Sequence, residues 1–163
     1  YYFNKHGLDV RSIRYPGLIS FKTEAGGGTT DYAVEIFDDA VESGKYECFL
    51  KPKTKLPMMF MDDAIRATIE LMEANSDKLT IRSSYNISGI SFDPEELAGE
   101  IKKSIPDFKI IYKPDFRQAV AEFWPQSIHD SVPRNAWGWK HKIDLEKMTK
   151  IMMKETRKKL SVK

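Results

Sequence analysis

The run Gly26-Gly27-Gly28-Thr29-Thr30-Asp31-Tyr32-Ala33-Val34 carries the chain out of a glycine loop and into a helix, and its reading decides the fold. Ala33, Ile36, Phe37 and Ala40 recur at helical spacing, so an amphipathic helix is predicted from about Thr30 to Glu42, closed by Gly44. Upstream, Val10 to Tyr15 alternates loosely as a strand does, Pro16-Gly17 ends it, and residues 20–28 form a loop. Downstream, Tyr46 to Leu50 is a short strand. Strand, helix and strand in that order are the building unit of an α/β fold.

The alternation continues to the C-terminus. Leu56 to Met61 is an apolar run behind Pro57, and Asp62 and Asp63 open a helix carrying Ile65, Thr68, Ile69 and Met72. Leu79 to Ile87 is strand-like. Asp93 is placed to cap the next helix, Pro94 suits its first position, and Glu96 completes a capping box. Phe92 and Leu97 are placed for a hydrophobic staple, and Leu97, Ile101 and Ile105 follow before Pro106. Phe108 to Tyr112 reads as a strand and Phe116 to Trp124 as a helix until Pro125. Asp144 caps a last helix with Leu145, Met148, Ile151 and Met152 inward. The connections are short, as in one compact body.

With 163 residues, 41% apolar and 31% charged, the chain is of the globular class and long enough for a sizeable core. No apolar run approaches the roughly 20 residues of a membrane span. A net charge of +2 gives no global argument for nucleic acid or a membrane surface. Cys48 is the only cysteine, which excludes an internal disulfide and fits a reducing compartment, the cytoplasm first among them. Tyr1 to Lys5 reads as the end of a helix with Gly7 as its terminator, so upstream sequence is expected.

Several constellations bear on chemistry. Tyr1 and Lys5 share one helix face, and a neighbouring ammonium would make the phenol a usable base. At a fraying terminus the pair reads as chance. The glycine loop ahead of a helix could hold a small carboxylate on backbone N–H groups, although a threonine-capped helix start is the plainer reading of the loop alone. It is not a phosphate-binding Walker loop, since no Lys-Ser/Thr follows the glycines. Pro57 to Asp63 could line a pocket with thioethers, yet reads more simply as a buried strand with two capping aspartates. Trp124, just before Pro125, could close a pocket, while Trp137 and Trp139 read as packing residues. His6, His129 and His141 show no metal-ligand spacing, and no metal is expected. The seven basic residues from Lys147 to Lys163 read as the solvated face of a terminal helix.

Laid out together, these stretches resemble a family. Asp9 to Ser20, Gly26 to Val34, Leu56 to Ala64, Ser84 to Ile87, Asp115 to Gln118, Trp124-Pro125 and Asp130 to Lys140 are similar to the extended short-chain dehydrogenases. Within them the match is to the NAD-dependent L-threonine 3-dehydrogenases of the epimerase-like type. The resemblance implies the C-terminal portion of a Rossmann-type fold with an interleaved small substrate-binding lobe. Residues 1–20 would end the Rossmann half. Residues 21–55 would supply the substrate loop, helix and strand, 56–107 the returning Rossmann elements, and 108–163 the C-terminal substrate lobe. Tyr15, Pro16, Gly17 and Leu18 would lie beside NAD, and Gly28, Thr29, Thr30 and Trp124 around L-threonine. The family's glycine-rich dinucleotide turn and Tyr-x-x-x-Lys pair lie upstream of Leu8, so no catalytic residue is expected within the chain. The parent would be a homodimer that oxidises L-threonine to 2-amino-3-oxobutyrate. A nucleotide-sugar epimerase or dehydratase, with a larger pocket, and a non-catalytic binding module are the alternatives.

Overall fold

A computed structural model describes residues 1–161, so the Lys163 end of the basic run lies outside the described residues. The first half runs α1 (Tyr2–His6), β1 (Ile13–Arg14), β2 (Gly17–Ile19), α2 (Tyr32–Glu42), β3 (Lys45–Cys48), β4 (Leu56–Phe60) and α3 (Met61–Glu73). The second half runs β5 (Tyr85–Asn86), β6 (Ile90–Phe92), α4 (Pro94–Lys102), β7 (Lys109–Tyr112), α5 (Phe116–Glu122), α6 (Ser131–Trp137) and α7 (Leu145–Ser161). Three of the four strand pairings are parallel: Ile13 faces Tyr85, Gly17 faces Met58, and Lys45 faces Lys109. Parallel neighbours need long crossovers, and the helices supply them. Among the described residues only β6 runs antiparallel, against β4. The alternation in the sequence has become an α/β fold.

The main core gathers α2, β3, β4, α4 and α7. Ile36, Phe37, Leu56, Met58, Leu97, Ile101 and Met148 are fully buried in it. Each such side chain contributes roughly 1.5–3 kcal/mol by leaving water. The capping box is formed as predicted: Glu96 N–H donates to Asp93 Oδ1 and Asp93 N–H to Glu96 Oε2, both at 2.9 Å. Phe92 and Leu97, the expected staple, are both buried in this cluster. Asp144 Oδ1 accepts from Lys147 N–H at 2.8 Å at the start of α7, which buries Met148 and Met152 as predicted.

Other expectations need correction. The first strand does stop ahead of Pro16-Gly17, at Arg14, but a separate short strand, β2, that was not expected follows Pro16, which has no N–H for a ladder, and takes a different partner. The Leu79–Ile87 run forms a ladder only at Tyr85–Asn86, because β1 offers two paired positions and the Ile81 N–H turns to the Tyr85 hydroxyl. β6 and α6 were not foreseen. The glycine-loop helix starts at Tyr32 and not at Thr30, since residues 28–31 form a turn ahead of it. The helix after Asp115 stops at Glu122. On α3, Ala64, Ala67 and Leu71 face inward, while Ile65, Ile69 and Met72 are 52%, 48% and 68% exposed. The two capping aspartates are absent as caps, because Asp63 turns to a distant backbone segment.

Candidate functional site

A cavity of about 380 Å³ lies where β1 hands over to β2, beside the start of α2 and the segment after α5. Five of the residues singled out in the sequence line it: Tyr15, Pro16, Gly17, Thr30 and Trp124. Three that were expected do not. Leu18 follows Gly17 on β2, where successive side chains alternate faces, and Gly28 and Thr29 sit on the loop behind Thr30. Pro57 also lines it, from the run that could line a pocket, together with Pro125 and Ile128, which had not been assigned to it. Pro125 stood next to Trp124, whereas Ile128 gave no signal. The wall is thus mainly apolar, with the Thr30 side chain as a polar group.

Each wall is positioned by identifiable contacts. The Tyr15 hydroxyl is hydrogen-bonded to the Thr68 hydroxyl and lies 3.5 Å from the Ala64 carbonyl, which holds the phenol against α3. Gly17 packs so closely on Thr30 that a Cβ there would stand 2.6 Å from Thr30 Cγ2 and 2.7 Å from Met58 Sδ. The missing side chain at residue 17 therefore allows the Thr30 side chain to reach its place. Met58 itself lies in a strand buried at every position, which favours the buried-strand reading of the methionine run.

The glycine loop already holds a carboxylate, and it is the protein's own. Asp31 Oδ2 accepts from Gly26 N–H at 2.7 Å and Gly28 N–H at 2.8 Å. Ala33 N–H and Val34 N–H, in the first turn of α2, donate to Thr30 O and Asp31 O. The amides of Gly26, Gly28, Ala33 and Val34 are thus engaged within the loop and the first turn. Neither a threonine cap nor an open anion cradle describes it.

A second cavity of about 280 Å³ shares Trp124 as a wall, with Ala121 beside it and Lys51, Lys53, Lys55, Gln118 and Glu122 around it. Lys51 Nζ donates to Glu122 Oε1 at 2.8 Å, and this contact holds the Glu122 carboxyl below its ordinary range. Lys53 pairs with Glu95 and Lys55 with Glu96. Tyr1 and Lys5 do meet, with Lys5 Nζ donating to the Tyr1 hydroxyl at 2.8 Å, but on an exposed helix and at neither cavity. Trp139 is buried and donates to Ser88 O at 3.1 Å. Among the described residues the Trp137 indole N–H finds no acceptor, and its ring packs edge-on to Tyr85. No helix among the described residues is long and apolar enough to cross a membrane.

No family model matches the chain. Individual proteins do. The mitochondrial L-threonine 3-dehydrogenase of Sus scrofa is 53% identical over 94% of this chain, which covers 41% of that protein. The apo GalE-like L-threonine dehydrogenase of Cupriavidus necator superposes with a TM-score of 0.91 at 59% identity, over 94% of this chain and 56% of its own. The L-threonine dehydrogenase of Phytophthora infestans gives a TM-score of 0.94 at 52% identity, over 98% of this chain and 52% of its own. The chain spans about half the length of the relatives it matches.

Proposed function

We infer that this chain, a homologue of the GalE-like L-threonine dehydrogenases with the matching part of their extended short-chain dehydrogenase fold, serves as the substrate-binding half of an enzyme that oxidises L-threonine with NAD. The observation that carries the reading is the single cavity on which Tyr15, Pro16, Gly17, Thr30 and Trp124 converge. Its volume of about 380 Å³ suits a small amino acid beside one flat ring, and falls within the roughly 300–1,000 Å³ usual for ligand sites. Tyr15, Pro16 and Gly17 would form the wall beside the nicotinamide, with Leu18 just past it on the same strand. The apolar character of that wall fits an aromatic ring. Thr30 would hydrogen-bond the substrate, Gly28 and Thr29 would support it from behind, and Trp124 would close over it.

NAD, when bound, would accept the hydride that leaves the threonine Cβ. The hydroxyl proton would pass to a tyrosine of a Tyr-x-x-x-Lys pair, which the reading places outside these 163 residues. The chain's own contribution is binding and orientation, which supply a large share of a two-reactant barrier. The division into segments 1–20, 21–55, 56–107 and 108–163, a homodimeric parent and a reducing compartment such as the cytoplasm belong to the same proposal. Cys48, buried and with its thiol pushed up to about 11, fits that compartment.

The lysine-lined cavity beside Trp124 favours a second reading, a nucleotide-sugar substrate whose diphosphate would lie there. One experiment separates the two. The full-length protein carrying this chain is incubated with NAD and L-threonine, and NADH fluorescence is followed, with UDP-sugar binding measured by calorimetry. Threonine-dependent NADH supports the dehydrogenase, whereas UDP-sugar binding without a threonine response overturns it.

A further inference from the structure

We propose that Gln118 is a positioning residue for Trp124, fixing the aromatic wall of the substrate cavity through a buried polar junction with the Lys51–Thr54 loop; the substrate half of this proposal rests on the function inferred above. Gln118 is 6% exposed, and few polar side chains in the molecule are so enclosed. Its Oε1 accepts from Lys51 N–H at 2.8 Å and from the Thr54 hydroxyl at 3.0 Å. Its Nε2 donates to Glu122 Oε1 at 3.0 Å, the oxygen that also takes Lys51 Nζ. One amide thus joins α5 to the loop that leads into β4, where Pro57 forms another part of the cavity wall.

The end of α5 carries Trp124 with it. Phe123 N–H donates to Val120 O at 3.2 Å and Trp124 N–H to Ala121 O at 3.1 Å, so the backbone at Trp124 is an extension of the last helical turn. At the helix start the Arg117 guanidinium lies over the Phe49 ring, 3.2 Å from its centroid, and Asp115 N–H donates to Phe49 O at 3.2 Å. Only Gln118 and Ala121 are buried on it, and Phe116 and Phe123 are 76% and 91% exposed. Those contacts fix the start of α5, whereas the Gln118 junction, joined to Glu122, ties down the last turn that leads to Trp124, where an alanine methyl adds little burial. Because buried amides deprived of partners destabilise a local arrangement, the junction favours one pose of α5 and hence one place for Trp124.

The test uses the full-length protein with Gln118→Leu, Gln118→Glu and Thr54→Val. Trp124 is followed by acrylamide quenching, taken as the difference from a Trp124→Phe control, and threonine kinetics are measured in parallel. In Gln118→Leu, Trp124 should become more accessible to quencher and KM for threonine should rise about tenfold, with kcat changed less than about threefold. Gln118→Glu keeps both accepted hydrogen bonds to the loop but faces Glu122 with a second carboxylate, so it should recover most of the loss only when combined with Glu122→Gln, which restores a donor between the two side chains. Thr54→Val removes one donor without touching α5 and should move both readouts the same way by a smaller factor, which keeps the test decisive if Gln118→Leu does not fold. Unchanged quenching in folded Gln118→Leu or Thr54→Val overturns the proposal. The quenching arm needs no turnover, so an absence of threonine activity in the parent would sink the functional reading alone.

Discussion

At the scale of single residues, the cavity depends on an absence as much as on what lines it. Gly17 has no Cβ, and Thr30 Cγ2 and Met58 Sδ occupy the space that one would need. Gly17→Ala must push Thr30 or Met58 away, and Met58 belongs to a strand buried at every position. The expected outcome is a loss of about 1–3 kcal/mol, read by denaturant unfolding, together with a raised KM for threonine. An alanine variant with unchanged stability would show that Thr30 moves aside freely. The motif around Gly17 was visible in the sequence. Its physical role was not, because the collision is with residues 13 and 41 positions away along the chain.

At the scale of elements, helix ends are tied down by side chains from distant segments. Arg11 Nη1 donates to the carbonyls of Leu71 at 2.6 Å, Met72 at 2.9 Å and Ala74 at 2.7 Å, satisfying acceptors that the end of α3 leaves over. Asp9 holds that arginine at 2.7 Å and Arg82 at 2.6 Å. The Arg11 guanidinium keeps the Asp9 carboxyl down at about 2, below its unfolded value near 4. A depressed carboxyl contributes stability that is present above the unfolded value and lost as pH falls through the folded one. The melting temperature of Asp9→Asn should therefore fall below that of the parent at neutral pH. The gap should close between about pH 4 and pH 2, and a gap that persists at pH 2 would sink the idea. The capping box at Asp93 needed only four consecutive residues and could be read in advance, whereas the Arg11 cap spans 60 to 63 positions.

At the scale of the whole molecule, one carboxylate joins two distant parts of the chain. Asp63, in the first turn of α3, is almost fully enclosed and accepts from Lys142 N–H and Ile143 N–H, each at 2.9 Å. It also pairs with Arg66 at 2.7 Å, whose guanidinium lies over the Trp139 ring. The segment so fixed leads into α7, which packs on the core that carries α2 and Thr30. Asp63→Ala leaves the buried Ile143 N–H and the part-buried Lys142 N–H without an acceptor and takes one carboxylate from Arg66, which keeps Glu70 and the Lys140 carbonyl. The expected destabilisation is about 3 kcal/mol in denaturant unfolding, with raised hydrogen exchange at Lys142 and Ile143. A loss near zero would mean that the segment is held by packing alone.

The sequence by itself determined most of the order of helices and strands, the capped start of α4 and the buried face of α7. These depend on periodicity and on groups within a few positions of each other, where local stereochemistry is decisive, whereas Tyr15, Pro16, Gly17 and Thr30 were picked out by the family resemblance of their motifs. Tertiary structure decided the rest. On either side of Pro16, β1 and β2 took different partners, and β6 acquired its place only by pairing with β4. Asp31 closed the glycine loop on itself, a choice between its own carboxylate and a ligand that spacing alone leaves open. The inward aspartate of α3 and the buried amide of α5 carry their partners at separations of more than sixty residues, and no local pattern encodes a hydrogen bond across that distance.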